Sequence, residues 1–266
     1  MVLVFNSVED MNKLKCRLLA LPWSGGSAQF YRKWKPWAKQ NNIELLSAEI
    51  KQPEKDPSTP EEANKVIGDI VEDIYVSLKE FGRLDRPLAI WGHSLGGIVA
   101  YELSRRLESV GCEPIVLMVS SVFAPLALSE RNSGSDDCKR SLLTDRELMD
   151  NVIATGGLPK GVDESFLELK LPKLRSDLVL FDNYSINTIT YTRLKCPIVT
   201  FGGADDEAGT AKTMVEWQHY SERDLGARVM DCHHSFARGN HFYFQMMDYK
   251  DNVLSLILDE VHRHLD

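Results

Sequence analysis

The sequence predicts an α/β protein with a doubly wound, mostly parallel β-sheet and a helical lid insertion at about 126–194. Two observations predict this fold class. Short apolar runs typical of buried parallel strands alternate along the chain with longer segments of helical periodicity. One apolar run leads through the glycine-flanked turn GHSLG, at 92–96, into a helical segment. We expect a single domain over 1–266, because this length and a hydrophobic content of 43% suit one large core.

The individual elements follow from the same patterns. Apolar runs predict core strands at 15–21, 43–50, 87–91, 113–121, 196–201 and around 227–230. Three- and four-residue spacing of apolar side chains predicts helices at 29–39, 60–81, 144–154, 163–171, 174–184 and 210–220, and a closing amphipathic helix before the chain end. The stretch 126–194 has no clear strand, so we expect it to cover the carboxyl edge of the sheet. The alternative is a helical layer without a gating role.

Ser94 stands at the apex of the G-x-S-x-G turn. A strand, a tight turn and a helix are the context of a nucleophile elbow, in which the serine has a strained backbone and the flanking glycines avoid collisions. The start of the following helix also supplies N–H groups where an oxyanion would form. We therefore predict that Ser94 is the nucleophile. The alternative is a glycine-rich turn that only packs a helix on a sheet.

A serine nucleophile requires a base and an acid that orients the base. Asp205 follows the strand 196–201 and a short glycine turn, and His241 precedes the closing helix, which gives the chain order serine, acid, histidine. We predict these two residues as acid and base. Asp206 is the alternative acid. The alternative bases are His233 and His234, whereas His93 is predicted to have a packing role.

Composition excludes several classes of function. A net charge of −8 argues against a nucleic-acid surface, and no run approaches the roughly 20 apolar residues of a membrane span. The five scattered cysteines indicate free thiols in a reducing compartment, so we expect a soluble cytoplasmic protein. The cluster CHH at 232–234 lacks further ligands at suitable spacing, and the loop 22–28 lacks nucleotide-binding spacing. We therefore predict no metal and no cofactor.

Motifs over nearly the whole chain carry a family resemblance. They are LPWSGGSA at 21–28, WGHSLGG at 91–97, TGGLP at 155–159, LPKLRSD at 171–177, GGAD at 202–205 and GNHFY at 239–243. With these motifs the chain resembles the stand-alone type II thioesterases of the α/β-hydrolase superfamily, which serve polyketide, nonribosomal-peptide and fatty-acid synthases. One departure is QPEK at 52–55, where such thioesterases usually have Pro-Gly-Arg.

The resemblance implies an α/β-hydrolase fold and a defined substrate class. The oxyanion hole would use the backbone N–H groups of Ser24 and Leu95. The substrate would be an acyl thioester on the phosphopantetheine arm of an acyl carrier protein or carrier domain. Because carrier proteins and this chain are both acidic, docking would need a local basic or apolar patch, for which Lys170, Lys173 and Arg175 in the lid are candidates.

Three functions compete at this level. The first is a serine thioesterase that clears or releases acyl groups from a carrier through an acyl-serine intermediate. The second keeps the triad but hydrolyses oxyesters, as a lipase or esterase does. The third is a non-catalytic binding protein on a hydrolase fold, which the presence of serine, acid and histidine disfavours.

Overall fold

The computed structural model describes residues 3–5, 13–157, 164–186, 191–223, 233–236, 239–245 and 250–265. Within these ranges the strands are β1 (Leu3–Phe5), β2 (Cys16–Leu21), β3 (Ile43–Ala48), β4 (Leu88–His93), β5 (Val116–Ser120), β6 (Ile198–Gly203) and β7 (His233–Phe236). They form one sheet in the order β1-β3-β2-β4-β5-β6-β7. β1 pairs antiparallel with β3, and every other neighbouring pair is parallel. The prediction of a mostly parallel α/β sheet is confirmed.

The helices are α1 (Lys35–Gln40), α2 (Pro60–Glu80), α3 (Leu95–Ser109), α4 (Pro125–Asn132), α5 (Asp145–Ala154), α6 (Glu164–Asn183), α7 (Ala211–Met214) and α8 (Lys250–Arg263). Local sequence explains several of their ends. Thr59 caps α2 by accepting from the N–H of Glu62, with proline at the first helical position. Thr144 and Glu147 form the predicted capping box of α5.

The strands β2 to β6 are buried on both faces, which explains why they are apolar at consecutive positions. Leu19 of β2 and Ile90 of β4 belong to the core beneath α2 and α3. Their neighbours Leu18 and Ala89 belong to the core on the opposite face, beneath α8 and the 3₁₀ helix Ala28–Trp34. This alternation follows from the two-residue period of a strand.

Some elements differ from the predictions. A single helix, α6, runs through Pro172, where two short helices were predicted. Proline in a helix removes one backbone hydrogen bond, but burial of Leu178, Leu180 and Phe181 in the second half of α6 favours the continuous helix. The predicted helix at 210–220 is α7 followed by a 3₁₀ helix, Val215–Tyr220. The strand predicted around 227–230 lies outside the described residues.

The described residues between β5 and β6 form α4, α5, α6 and short 3₁₀ helices, with one isolated bridge between Leu194 and Ser221. These helices occupy the segment in which a lid was expected. α6 packs against α2 and α4. Over the described ranges, we find no helix with the length and apolar composition needed to cross a bilayer.

Candidate active site

Ser94 lies between the end of β4 and the start of α3, with φ 54° and ψ −123°. Residues with a side chain rarely adopt a positive φ, so the turn is strained. The flanking glycines explain how the turn forms. A Cβ on Gly92 would lie 2.2 Å from the carbonyl oxygen of Gly96, and a Cβ on Gly96 would lie 2.4 Å from that of Pro22. The turn therefore has the geometry predicted for a nucleophile elbow.

Backbone hydrogen bonds fix this turn in the sheet. The N–H of Ser94 donates to the carbonyl of Ser120 on β5, at 2.9 Å, and the N–H of Gly97 donates to the carbonyl of Ser94, at 2.8 Å. The Ser94 residue is 3% exposed. It precedes the first turn of α3, where helix N–H groups and the helix dipole favour a developing negative charge.

His241 lies beside this turn and pairs with Asp206, not with Asp205. The ring Nδ1 of His241 lies 2.9 Å from Oδ2 of Asp206, whereas Asp205 is exposed. Asp205, the predicted acid, therefore does not make the contact with the histidine that this role needs, and its neighbour Asp206 makes it. The reason is the turn after β6. The N–H of Asp205 donates to the carbonyl of Gly239 and that of Asp206 to the carbonyl of Gly203, so that the second aspartate faces the histidine loop.

The environment of Asp206 favours its ionised form. Burial raises the pKa of this carboxyl, but the hydrogen bond and the charge of His241 lower it. The hydroxyl of Ser121 and the N–H of Ala208 act in the same direction, and the net pKa is below its ordinary value. Asp206 is therefore a carboxylate at neutral pH and can fix the Nδ1–H tautomer of His241.

His93 packs behind His241, in agreement with its predicted packing role. The two ring centroids are 4.8 Å apart, and His93 also contacts Phe244 and Trp23. Its Nδ1 lies 2.9 Å from the hydroxyl of Ser120. Burial, and then the charge of His241, hold the pKa of His93 well below its usual range. His93 is therefore a neutral ring against which His241 rests.

The loop predicted to contribute to an oxyanion hole forms a tight turn beside Ser94. The N–H of Gly26 donates to the carbonyl of Trp23 at 2.8 Å, and Gly25 has φ 75°. A hydrogen bond between the first and fourth residues with a positive φ at the third is typical of a type II turn. Ser24 is the second residue of this turn and lines the same cavity as Ser94.

Two cavities meet at Ser94 and His241. One, of about 260 Å³, is mostly apolar and is lined by side chains of α5 and α6 together with Trp23 and Phe242. The other, of about 460 Å³, is more polar and is lined by Asp206, Ser121, Arg131 and other residues. Arg140 borders both cavities. This arrangement can accept a substrate with one apolar and one polar arm.

Other predicted residues are placed as follows. His233 and His234 belong to β7, in register with Thr200 and Phe201 of β6. Of the candidates for a docking patch, Lys173 pairs with Asp177 and Arg175 pairs with Asp145. Lys170 lines the apolar cavity. In the ranges that the structure describes, no three His, Cys, Asp or Glu side chains are grouped as metal ligands.

Sequence reasoning missed two polar residues of this region. Ser120 links His93 to the hydroxyl of Tyr243, at 2.9 and 2.7 Å. Ser121, with φ 49°, lines the polar cavity together with Asp206. A signal for both exists in the sequence, because two hydroxyl residues directly follow a buried apolar strand, and polar residues at the carboxyl ends of parallel strands meet at one edge of the sheet.

Comparison with known proteins agrees with this geometry. Over 240 residues the chain is 29% identical to thioesterase TesA of Mycobacterium marinum, covering 90% of this chain and 88% of that protein. It is 25% identical to the gramicidin S biosynthesis protein GrsT of Aneurinibacillus migulanus, covering 92% and 91%.

Solved structures show the same fold. The type II thioesterase YbtT, from the yersiniabactin biosynthetic pathway, has a TM-score of 0.73 at 23% identity, covering 100% of this chain and 98% of that one. The type II thioesterase BorB, from the borrelidin cluster, has a TM-score of 0.70 at 25% identity, covering 92% of each chain. The model of the thioesterase domain family matches residues 16–258, which include Ser94, Asp206 and His241. The match runs from β2 into α8, and the chain therefore belongs to the thioesterase domain family.

Proposed function

We propose that the protein is a serine thioesterase that hydrolyses acyl groups from the phosphopantetheine arm of a carrier protein. One observation carries the proposal. Ser94, at the apex of the strained turn, and His241, with its Nδ1 paired to Asp206, line the same two cavities. Nucleophile, base and acid in this relation are what acyl transfer through a covalent intermediate requires.

In the acylation step, the Ser94 oxygen attacks the thioester carbonyl carbon while Nε2 of His241 takes the hydroxyl proton. Asp206 stabilises the resulting imidazolium through the bond to Nδ1. The N–H groups of Leu95 and Ser24 would receive the oxyanion, as the family resemblance implies. When the carbon–sulfur bond breaks, His241 donates the proton that it took from Ser94 to the leaving thiolate. The products of this step are an acyl-serine and a free thiol.

In the deacylation step, water attacks the acyl-serine carbonyl while His241 removes one of its protons. The same oxyanion hole stabilises the second tetrahedral intermediate. Its collapse releases the carboxylic acid and returns the proton to Ser94. The two steps together convert the thioester and one water into a carboxylic acid and a free thiol.

The two cavities suit the two parts of such a substrate. The acyl chain would lie in the apolar cavity, beneath the lid helices α5 and α6. The amide-containing pantetheine arm would enter through the polar cavity. The relatives support the same partner class, because they include a gramicidin S biosynthesis protein and a human S-acyl fatty acid synthase thioesterase. We expect such a carrier in the cytoplasm, where the free cysteines of the chain would stay reduced.

Substitution of the nucleophile tests the proposal. Ser94→Ala should abolish nearly all release of free thiol from acyl-phosphopantetheinyl carrier and acyl-coenzyme A. The residual rate should be at most ~10³–10⁴-fold over water, from binding and the oxyanion hole. Fluorophosphonate should label the wild type and not this variant, while both keep the same melting temperature. Turnover within tenfold of wild type in Ser94→Ala would contradict the assignment.

Matched oxyesters distinguish the esterase alternative. A wild-type kcat/KM that is higher for an oxyester than for the thioester of the same acyl group would replace the thioesterase proposal with esterase activity. Absence of both labelling and turnover would favour a binding protein.

A further inference from the structure

A carboxylate outside the proposed triad contacts the turn that carries Ser24. Asp177 belongs to α6 and is only 2% exposed. Its Oδ2 accepts a hydrogen bond from the backbone N–H of Gly25, at 2.7 Å. The two residues are 152 positions apart in the chain. A buried charge with a bond across the fold is costly unless its partners satisfy it, so its presence requires a reason.

Two neighbouring residues of α6 add to this contact. Nζ of Lys173, one helical turn earlier, lies 2.8 Å from the same oxygen. Leu174 lies directly over the turn, because a Cβ on Gly25 would approach its Cβ to 3.1 Å. The lid helix is thus seated on this turn through both an apolar contact and a charged hydrogen bond.

The geometry of the turn explains why the Gly25 N–H matters. In a type II turn the peptide between the second and third residues has the opposite orientation from that in a type I turn. Here that peptide joins Ser24 to Gly25, and its N–H is the group that Asp177 binds. The carboxylate therefore favours one of the two orientations of the Ser24–Gly25 peptide. The Ser24 N–H belongs to the peptide directly before it, so the bond acts on that donor through the conformation of the turn. Glu49 anchors the other end of the loop, accepting from the hydroxyl of Ser27 and the N–H of Ala28.

We propose that Asp177 is a positioning residue for the oxyanion hole: through its bond to the Gly25 N–H, the lid helix α6 sets the turn that presents the Ser24 N–H. This inference rests on the proposed function, since it uses Ser24 as an oxyanion donor. It makes the seating of α6 a condition for catalysis, in addition to its role in covering the apolar cavity. A variant in which α6 still covers the cavity but lacks this bond would bind substrate and stabilise the oxyanion poorly.

The test compares variants at Asp177 with octanoyl-coenzyme A as substrate, so that carrier docking does not contribute. Asp177→Ala should lower kcat by on the order of 10²-fold, as loss of one oxyanion donor does, with KM within about threefold of wild type. Asp177→Asn keeps an oxygen that can accept from Gly25, and it should recover at least about tenfold of the lost kcat. Affinity for an octyl trifluoromethyl ketone, which mimics the oxyanion, should fall in parallel with kcat/KM.

Ser176→Ala is the matched control, because Ser176 bonds to Asp56 from the adjacent position of α6 without touching the turn. It should keep the wild-type kcat. If Asp177→Ala fails to fold, Asp177→Leu, which is closer in shape, takes its place. Three results would overturn the inference. The first is a kcat within threefold of wild type in Asp177→Ala, or in Asp177→Leu where that variant replaces it. The second is a kcat of Asp177→Asn no higher than that of Asp177→Ala, and the third is a raised KM with unchanged kcat. Wild-type protein without thioester hydrolysis would instead refute the proposed function.

Discussion

At the scale of single residues, the proposed chemistry depends on strain and on one choice between neighbours. A non-glycine residue at φ 54°, such as Ser94, costs on the order of 1–3 kcal/mol of conformational free energy. The close packing of Gly92 and Gly96 against the backbone holds the turn in this conformation. The choice lies between Asp205, which is exposed, and Asp206, which bonds to His241. The contact assigns the acid role to Asp206 in the proposed mechanism.

Asparagine substitutions at the two positions test this assignment. Asp206→Asn should lower kcat on the order of 10⁴-fold, because an amide can hold His241 in the wrong tautomer. Asp205→Asn, at an exposed carboxylate, should change kcat less than threefold. The measurement is steady-state thiol release by both variants at the pH optimum of the wild type. A larger effect at position 205 would move the acid back to the residue that the sequence favours, and equally small effects would mean that neither aspartate is the acid.

At the scale of elements, a buried ion pair joins β2 to β3 at the end of the sheet away from the elbow. Nε of Arg17 lies 2.6 Å from Oε2 of Glu44, and their side chains are 0% and 2% exposed. The two residues are direct partners in the parallel register of β2 and β3. Asp85, which is mostly exposed, also contacts Arg17. Such a pair gives little net stability compared with apolar residues, but removal of one partner leaves an uncompensated charge.

Glu44→Ala should therefore destabilise the fold by about 3 kcal/mol, the lower end of the range for a broken buried pair, since Asp85 still contacts Arg17. Asp85→Ala, at an exposed partner, is the control and should cost much less. Urea unfolding gives both values. The kcat of folded Glu44→Ala should equal that of wild type, because the pair lies far along β2 from the turn at Ser24. A loss smaller than that of Asp85→Ala would mean that Glu44 is not the main partner of Arg17.

At the scale of the whole molecule, the helices between β5 and β6 and the turn after β2 together form the walls of the two cavities. Leu148 and Met149 of α5 and Leu174 and Leu178 of α6 line the apolar cavity. Leu148, Leu171 and Leu178 also form a small core of their own, separate from the two cores of the sheet. The proposed acyl site is thus made where this third core meets the elbow, and its size limits the acyl chain.

This arrangement predicts a chain-length profile. Each buried methylene contributes about 0.8 kcal/mol, so kcat/KM for acyl-coenzyme A should rise on the order of tenfold with each two-carbon extension until the cavity is full. Met149→Trp, which narrows the cavity, should shift the optimum to shorter chains. Leu142→Trp, at a side chain that is 62% exposed, should leave the profile unchanged. A flat profile from two to sixteen carbons would mean that the apolar cavity does not receive the acyl chain.

Much of the fold could be predicted because its signals are local. The 21-residue helix α2 coincides almost fully with its predicted bounds, since its apolar spacing, its cap at Thr59 and its proline lie within one stretch. The elbow was equally predictable, because the glycines that allow it are within two residues of Ser94. The continuous α6 was not, because propensity at Pro172 predicts a break and only burial elsewhere along the helix favours its continuation.

The sequence by itself determined the α/β class, the family resemblance, the turn that carries the proposed nucleophile and the histidine proposed as its base. Only the tertiary structure decided which aspartate contacts His241 and which carboxylate binds the Gly25 turn. The physical reason is the range of the interactions. Adjacent aspartates have the same local pattern, and the difference between them arises where the loop at Gly239 packs on the end of β6. Asp177 reaches Gly25 only because α6 folds back over the turn, a contact that no short window of sequence contains.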